Sequence, residues 1–432
     1  MIKSLIKKTL TILVVFGITF PLLSCSNSTT ASSPSLPASP VENEYIELNY
    51  YVWADELLYI TDIIDVFNAA HKNININVVP LSNTNYEDKL KKSLSNPEEQ
   101  VDLFDTKGMA YVIQLVENEN AYNITEYVEN SILDGSMNIS AYGTLFNDIT
   151  YHEQYYALPM RSTCWALYYN KELFDNAGLP YPSQLTWDEY AALAKKMTYI
   201  DGDSQIWGGY FVEWLPNFLA LQHGQYLTED DQQYSRRSIE LLNQFYNIDQ
   251  SHVSYTDIIN SPDPSTDVYT RFEAGEIAMV LQGEWMVNIL LKDHTTIDWD
   301  IAPMPIDKNI DANTTIGQYQ FVSISSSCKH PEEAYEFLEF LCGKNGASIY
   351  AQNAIVPAYT DKEIINSYQT ASSKESTKYF FEAKKYPEQI AIRGYQETIV
   401  AFSASAGKYF SGQMTLDEAM NQFELERKEI FR

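Results

Sequence analysis

Cysteine is scarce in this chain, and the spacing of metal ligands is absent. Only four cysteines occur among 432 residues, and the six histidines are isolated from one another and from the cysteines. Apart from one near the N-terminus, the cysteines are Cys164, Cys328 and Cys342, an odd number that cannot pair completely. We expect buried free thiols, no zinc-type metal site and no other cofactor.

Basic residues are also few, with 29 lysines and arginines against 58 acidic residues and a formal net charge of −29. The sequence has no basic patch, which argues against a nucleic-acid partner. It also lacks a nucleophile elbow, a phosphate-binding loop and an HExxH run. A glycoside hydrolase needs only two suitably spaced carboxyl groups, so the acidic composition leaves that class open. The expectation is nevertheless that the protein is not an enzyme.

Long apolar runs are confined to the N-terminus. Three lysines within the first eight residues precede the stretch TLTILVVFGITFPLL, and the segment ends in LLSC at Cys25. This pattern predicts a signal peptide over residues 1–25, and its ending resembles a bacterial lipobox. Lipid on Cys25 would hold the protein at the outer face of the cell membrane; an ordinary signal peptide with a chance cysteine is the alternative. Residues 26–44 are typical of a flexible tether. No later run reaches the ~18 apolar residues that a membrane span needs.

The chain beyond the tether begins with an alternation of strands and helices. The sequence predicts a strand over 45–53, a helix over 55–70 and a second strand that starts at Ile74. Strand, helix and strand of these lengths indicate a parallel crossover unit. The segment VDLF then leads to Asp105, which we expect at the end of a third strand.

Local stop and start signals organise the rest of the chain. WALYYN predicts a strand over 165–170, and the short helix behind it should stop at Gly178. Capping boxes at Thr186 and Thr415 each predict the first turn of a helix. IAMVL and FVSIS are typical of buried strands. The predicted fold class is therefore α/β.

Several segments, taken in their order, resemble the extracellular solute-binding proteins of ABC importers, in the sugar-binding, maltose-type branch (family 1). They span nearly the whole chain beyond the leader. The segments are YALPMRSTCWALYYNKELFDNAGLP, LTWDEYAALAKKM, FEAGEIAMVLQGEW, DWDIAPMPI, SSSCKHPEEAYEFLEFL and SGQMTLDEAMNQFE.

The resemblance implies a two-lobed, periplasmic-binding-protein-like fold of type II, with lobes joined by crossing hinge strands. Such lobes close around a ligand. The expected boundaries are 45–160 plus 325–356 for lobe 1 and 161–324 plus 357–432 for lobe 2, with crossings near 161–166, 318–325 and 355–358. The implied function is a monomeric receptor that captures a mono- or oligosaccharide and delivers it to ABC permease subunits. A non-sugar small solute or a peptide is the alternative ligand, and a secreted glycoside-active enzyme is the less favoured function.

Strand ends show where a ligand would bind, because in open α/β sheets the crevice lies beyond the carboxyl ends of the parallel strands. IAMVL ends in Gln-Gly-Glu-Trp, which predicts that Trp285 stands at the crevice and that Gly283 lets the backbone turn there. An indole offers a flat apolar face that suits the C–H face of a sugar ring. Trp53 follows the first strand in the same way.

Strand ends and the family resemblance together select the predicted ligand-binding residues: Trp53, Asp55, Glu56, Asp105, Arg161, Glu213, Trp214, Glu284, Trp285, Tyr319, Arg393 and Tyr395. Each has an alternative role. A tryptophan is more often a packing residue than a ligand contact, which is the assignment for Trp165, Trp187, Trp207 and Trp299. The acidic residues could cap helices or form surface ion pairs, and Arg161 could belong to a structural ion pair.

Overall fold

The computed structural model describes residues 45–82, 85–143, 146, 149–264, 266–292 and 295–432. The predicted signal peptide, the tether and the lipidation site Cys25 lie outside the described residues.

Strands and helices alternate through the described chain, which confirms the predicted α/β class. The strands are β1 Ile46–Trp53, β2 Ile74–Leu81, β3 Leu103–Lys107, β4 Leu158–Ser162, β5 Trp165–Asn170, β6 Tyr199–Asp201, β7 Ser204–Ile206, β8 Tyr210–Phe211, β9 Met279–Gly283, β10 Trp299–Pro303, β11 Thr314–Gly317, β12 Tyr319–Ile324 and β13 Lys384–Pro387. The helices are α1 Leu57–Ala70, α2 Tyr86–Leu94, α3 Met109–Glu117, α4 Thr125–Asp134, α5 Lys171–Ala177, α6 Trp187–Lys196, α7 Phe218–Gln222, α8 Gln233–Asn243, α9 Tyr255–Ile259, α10 Asp267–Glu273, α11 Trp285–Lys292, α12 Pro331–Cys342, α13 Lys344–Gln352, α14 Lys362–Ser372, α15 Tyr379–Glu382, α16 Tyr395–Phe410 and α17 Leu416–Ile430.

The first sheet has five strands in the order β2-β1-β3-β12-β4. β1 pairs in parallel with both β2 and β3, and the connection from β1 to β2 runs through α1. This is the predicted crossover unit. β12 is antiparallel to both β3 and β4. Asp105 is the third of five residues in β3, so the prediction that it ends the third strand is wrong.

The second sheet has four strands in the order β10-β5-β9-β8. β9 is antiparallel to β5 and parallel to β8, and β10 is antiparallel to β5. β5 and β9 are fully buried, as the apolar runs WALYYN and IAMVL predict. Two further pairs, β11 with β13 and β6 with β7, form small separate sheets.

The chain passes between the two main sheets at short segments. β4 ends at Ser162 in the first sheet, and β5 begins at Trp165 in the second. β11 belongs to the small sheet with β13, and after a single intervening residue the chain enters the first sheet as β12. Residues 161–162 and 319–324, which are expected in lobe 2, pair within the first sheet through β4 and β12. The other lobe boundaries remain a prediction.

Local capping fixes the ends of several helices. The hydroxyl of Thr186 accepts from the backbone N–H of Glu189, whose carboxylate accepts from the backbone N–H of Thr186. Thr415 and Glu418 form the same box at α17. Gly178 ends α5 with φ of 63°, in the left-handed region that glycine adopts without steric cost. The predicted capping boxes are therefore confirmed.

Aromatic side chains pack in the cores beside both sheets. Phe67 packs edge-on against Phe337 with ring centroids 5.0 Å apart, beside the first sheet. Trp187 lies 4.5 Å from the ring of Phe218, near the second sheet, and donates its indole N–H to Gln222 at 2.9 Å. The three cysteines of the described chain are buried free thiols, in agreement with the odd count.

Replacing Trp187 by alanine should destabilise the protein by about 3 to 5 kcal/mol, because a large buried ring leaves a cavity. Trp187 is 1% exposed, whereas Trp214 is 42% exposed. The matched substitution Trp214→Ala should therefore change the free energy of unfolding by less than about 1 kcal/mol. Denaturant unfolding of the two variants compares them directly. Equal losses would contradict the packing role of Trp187.

Candidate functional site

The strand directions bring two sheet edges face to face. In the first sheet, β1, β2, β3 and β4 all end at the edge where β12 begins. In the second sheet, β8, β9 and β10 end at the edge where β5 begins. Because only two residues separate the end of β4 from the start of β5, these two edges meet. This junction is the place where a crevice between α/β sheets is expected.

Arg161 occupies the junction and is only 2% exposed. Its Nη1 donates to Glu56 Oε2 at 2.7 Å, and its Nη2 lies 3.6 Å from Glu284 Oε1. The guanidinium also lies 4.5 Å from the ring centroid of Tyr59. Burial opposes the charge of Arg161, but Glu56 and Glu284 outweigh it and raise its pKa. The structure therefore brings together three of the predicted site residues, Glu56, Arg161 and Glu284. Each of the two terminal nitrogens of Arg161 already faces a carboxylate of the protein.

Glu284 is fully buried where β9 ends. Its Oε2 accepts from the backbone N–H of Cys164 at 3.1 Å, so it also contacts the segment that crosses between the sheets. Burial raises the pKa of Glu284 to about 7, and Arg161 opposes the shift without cancelling it. Glu284 can therefore exchange a proton near neutral pH.

Trp285 is the first residue of α11 and is partly buried. Its indole N–H donates to the hydroxyl of Tyr269 at 2.8 Å, and its ring packs edge-on against Trp165 at 5.7 Å between centroids. A Cβ on Gly283 would overlap the Trp285 ring. Gly283 does not have positive φ, so its role is to leave room for the indole rather than to permit a special backbone turn.

Glu388 completes a group that we call the junction cluster: Glu56, Arg161, Trp165, Glu284, Trp285 and Glu388. Glu388 Oε1 accepts from the Trp165 indole at 2.7 Å and from the Thr163 hydroxyl at 3.1 Å. Burial raises the pKa of Glu388 to about 7, and Glu284 adds to the rise.

Two members of the junction cluster, Trp165 and Glu388, are not among the residues that the sequence predicts for the site. The apolar strand around Trp165 predicts a packing role, and its ring is indeed buried. The sequence feature that could have marked Trp165 as a site residue is its position as the first residue of β5, directly after the crossing. Glu388 follows the short strand β13 in a segment without periodicity, and nothing in the local sequence marks it.

The structure gives packing roles to other predicted residues of the first sheet. Trp53 is buried, edge-on to Tyr86, with the ammonium of Lys107 5.0 Å from its ring centroid. Asp105 is buried and accepts a hydrogen bond from Tyr50. Tyr319 is buried with its hydroxyl on the backbone oxygen of Tyr142. Trp53, Asp105 and Tyr319 thus make packing contacts in this structure, and their role in ligand binding remains a prediction.

Four further predicted residues divide between core and surface. Arg393 is a surface residue, 81% exposed, whose Nε lies 3.2 Å from Glu117 Oε2, and its place at the cleft remains a prediction. Tyr395 is fully buried and donates to the backbone oxygen of Glu388 at 3.5 Å, so it supports that segment from behind. Glu213 and Trp214 follow β8 at the second-sheet edge, and the Trp214 ring is well exposed. Burial raises the pKa of Glu213.

Asp55 is exposed in the 3₁₀ turn between β1 and α1. Its charge contributes to the raised pKa of Tyr269, after the larger effect of burial. Tyr269 belongs to α10 and bonds Trp285, so Asp55 lies within electrostatic range of the second-sheet edge. Its predicted place at the cleft remains a prediction.

A model of the family of bacterial extracellular solute-binding proteins matches residues 47–347. This chain belongs to that family. The resemblance inferred from the sequence is therefore confirmed at the family level.

Curated relatives of the solute-binding protein cover only part of it. Binding proteins from Brucella abortus and Brucella suis are 25% identical over 254 residues. The match takes in 53% of this chain, and the chain spans 58% of the length of those relatives.

Solved structures match the fold over most of the chain. A sugar transporter from Rhizobium etli in an open conformation has a TM-score of 0.73 and 23% identity, and the match covers 89% of this chain and 99% of that one. An ABC substrate-binding protein from Listeria monocytogenes in complex with cycloalternan has a TM-score of 0.76 and 20% identity, with 89% and 97% covered. A maltose-bound Thermotoga maritima protein has a TM-score of 0.73 and 16% identity, with 89% and 99% covered. The predicted two-lobed fold is thereby confirmed.

Within the described residues of the solute-binding protein, no helix is long and apolar enough to cross a membrane. Over the same residues, no group of three or more histidine, cysteine, aspartate or glutamate side chains could hold a metal ion.

The raised pKa of Glu388 predicts a dependence of stability on pH. The pKa is about 7 in the folded protein against 4.5 for an ordinary glutamate, so the folded state holds this proton more tightly than the unfolded chain. Its stabilising effect is complete below pH ~4.5 and is lost as pH rises toward 7. Glu388→Gln should therefore make the free energy of unfolding less dependent on pH over that window.

Denaturant midpoints between pH 4.5 and 8 measure this effect. Glu276→Gln is the control, because Glu276 pairs with Arg271 at the surface of the second-sheet region at 3.2 Å. A Glu388→Gln profile parallel to that of the unmodified protein would show that Glu388 ionises normally.

Proposed function

We propose that this solute-binding protein captures a mono- or oligosaccharide in the cleft between its lobes and delivers it to ABC permease subunits. The observation that carries the proposal is the junction cluster, where the rings of Trp285 and Trp165 stand beside the carboxylates of Glu284 and Glu388. Flat apolar rings suit the C–H faces of a sugar, and carboxylates accept hydrogen bonds from its hydroxyl groups.

The junction contains several buried hydrogen-bond acceptors, which supports a ligand that supplies hydrogen-bond donors. Asp105 Oδ2 and Glu284 Oε1 are buried without a hydrogen-bond partner, as are the side-chain oxygens of Gln318 and Gln389. The last two oxygens both lie close to the position that a Cβ on Gly108 would take. Unpartnered buried acceptors are unfavourable, and hydroxyl groups of a sugar could satisfy those that face the cleft. Matched structures that contain bound cycloalternan, mannotriose and maltose support the same ligand class.

Lipid on Cys25 would anchor a monomer to the outer face of the cell membrane, with residues 26–44 as tether; mass analysis of membrane-extracted protein tests this. Lobe 1 would comprise 45–162 and 319–356, since β4 and β12 pair with each other in the first sheet, and lobe 2 would comprise 163–318 and 357–432. The protein would have no enzymatic activity, since its family consists of binding proteins.

A thermal-shift screen tests the ligand class. A sugar at a hundredfold excess over its Kd should stabilise the protein by about 2.7 kcal/mol, because it binds only the folded state. The panel should contain maltose, mannotriose, cycloalternan and tagatose, with short peptides and amino acids as the competing class. Stabilisation by a peptide alone would replace the sugar proposal, and hydrolysis of any sugar in the panel would show an enzyme.

Trp285→Ala should weaken ligand binding by about thirtyfold or more, the loss of roughly 2 kcal/mol that truncation of a buried aromatic anchor produces. The variant should also lose some stability, since the indole packs on Trp165 and bonds Tyr269. That loss should stay below the loss in Trp187→Ala, whose ring is buried in the core. Isothermal titration and denaturant unfolding of one preparation provide both values. Unchanged affinity among folded molecules would remove Trp285 from the site.

A further inference from the structure

Arg161 joins parts of the molecule that belong to different sheets. It lies on β4 in the first sheet, one residue before that strand ends. Glu56, its partner at 2.7 Å, precedes α1 next to the first sheet. Glu284, at 3.6 Å, follows β9 of the second sheet. The pairs thus form a buried bridge across the junction.

The two halves of this bridge differ in strength. Arg161 and Glu56 form a hydrogen-bonded ion pair, whereas the separation of Arg161 and Glu284 exceeds hydrogen-bonding distance. Arg161 Nε and Glu284 Oε1 are both buried without a hydrogen-bond partner. Because unmade hydrogen bonds of buried charged groups are costly, a small approach of the two sheet edges would be favoured. When the sheet edges move, the distance between Arg161 and Glu284 should therefore change more than the distance between Arg161 and Glu56.

Glu284 transmits its position to the candidate ligand-binding ring. Its other oxygen holds the backbone N–H of Cys164, in the crossing segment. The next residue is Trp285, whose indole packs on Trp165 at the start of β5. A shift of the Glu284 carboxylate therefore moves the start of α11 and its indole.

Charged and titratable groups from several elements surround Glu284. Burial has the largest effect on the pKa of Glu284 and raises it to about 7. The positive charge of Arg161 opposes this rise, and the charge of Lys385 opposes it to a smaller extent. Glu388 is the nearby acid that shares this behaviour. The groups that interact electrostatically with Glu284 are Arg161 on β4, Cys164 in the crossing, Tyr168 on β5, Tyr269 on α10, Tyr368 on α14, Lys385 on β13 and Glu388 beyond it.

We propose that Arg161 is a positioning residue for the cleft, which acts through Glu284 to hold Trp285 toward the first sheet, and that protonation of Glu284 releases this hold. Ionised Glu284 attracts the guanidinium, and neutral Glu284 does not. Ligand binding that brings the sheet edges together is then coupled to loss of a proton, so affinity rises with pH. The coupling to affinity rests on the ligand-binding function proposed above for the same cleft.

The first test needs no ligand. Tryptophan emission of the purified protein, followed from pH 5 to 9, should show a transition near pH 7 because Trp285 adjoins Glu284. Glu388 has a similar pKa and bonds the Trp165 indole, so the comparison is made in the Glu388→Gln background. In that background the transition should persist, also with the surface control Glu276→Gln added, and adding Glu284→Gln should abolish it. A transition that persists in the double variant with Glu284→Gln, or that is already absent in Glu388→Gln alone, would overturn the proposal.

Arg161→Lys provides a second variant if Glu284→Gln does not fold. A lysine keeps the charge, but it lacks the fork that reaches two carboxylates. Weaker stabilisation of ionised Glu284 should move the midpoint of the emission transition to higher pH, by up to one unit. An unchanged midpoint would show that Arg161 does not act on Glu284.

The second test measures ligand affinity at two pH values, with whichever of maltose, mannotriose or cycloalternan stabilises the protein. Affinity of the unmodified protein should be about three- to tenfold weaker at pH 5.5 than at pH 8, which corresponds to a pKa change of up to one unit on binding. Glu284→Gln should bind equally at both values. A pH-independent affinity in the unmodified protein would overturn the coupling. If no sugar binds, the proposed ligand class fails, while the emission titration still decides the role of Arg161.

Discussion

The buried guanidinium of Arg161 is the group on which the junction of this protein depends. Moving a charged group out of water costs several kcal/mol, and only well-placed opposite charges offset that cost. Here Glu56, Glu284 and the ring of Tyr59 surround it. Removal of one carboxylate would leave an uncompensated buried charge, a change that typically destabilises a protein by about 3 to 5 kcal/mol. The sheets therefore meet through a polar contact with strict requirements, whereas the cores on either side of it are apolar.

An excess of acids over bases gives the junction its chemical character. Glu56, Asp105, Glu284 and Glu388 have raised pKa values, and burial is the largest cause for each. The charges of Arg161, Lys107 and Lys385 oppose these shifts without cancelling them. Protons or donor groups must satisfy the remainder, which is a reason for the proposed ligand to be rich in hydroxyl groups and not anionic. The overall charge of −29 acts in the same direction.

Local chemistry made much of the fold predictable from the sequence. Thr186 and Thr415 begin helices through contacts within three residues, and the apolar runs in β5 and β9 are sufficient to predict buried strands. The partner of a strand is a non-local property. FVSIS predicts a strand, but nothing within it determines that β12 pairs with β3 and β4 rather than within the second sheet.

The site was less predictable because the direction of a side chain depends on tertiary packing. Tyr319 and Arg161 both lie near the crossings, yet Tyr319 points toward Tyr142 while Arg161 points into the junction. Arg393 lies beside the buried Tyr395 in the sequence but is exposed. Glu388 reaches Trp165 across more than two hundred residues of chain. Only the folded arrangement of the chain brings such residues together.

The turn Gln282-Gly283-Glu284-Trp285 explains why a tryptophan directly follows the end of the buried strand β9. The Gln282 side chain accepts from the backbone N–H of Gly283 at 3.0 Å, which steadies the last residues of β9. Gly283 leaves the space that the indole fills. Glu284 faces Arg161 across the junction. The indole then starts α11 with its N–H on Tyr269. These four consecutive residues thus have four different roles. A larger residue in place of Gly283 would displace Trp285 before it displaced β9, because β9 is paired on both sides, with β5 and with β8. The position of the candidate ligand-binding ring is therefore set by its immediate neighbours, while its distance from the first sheet is set by Arg161.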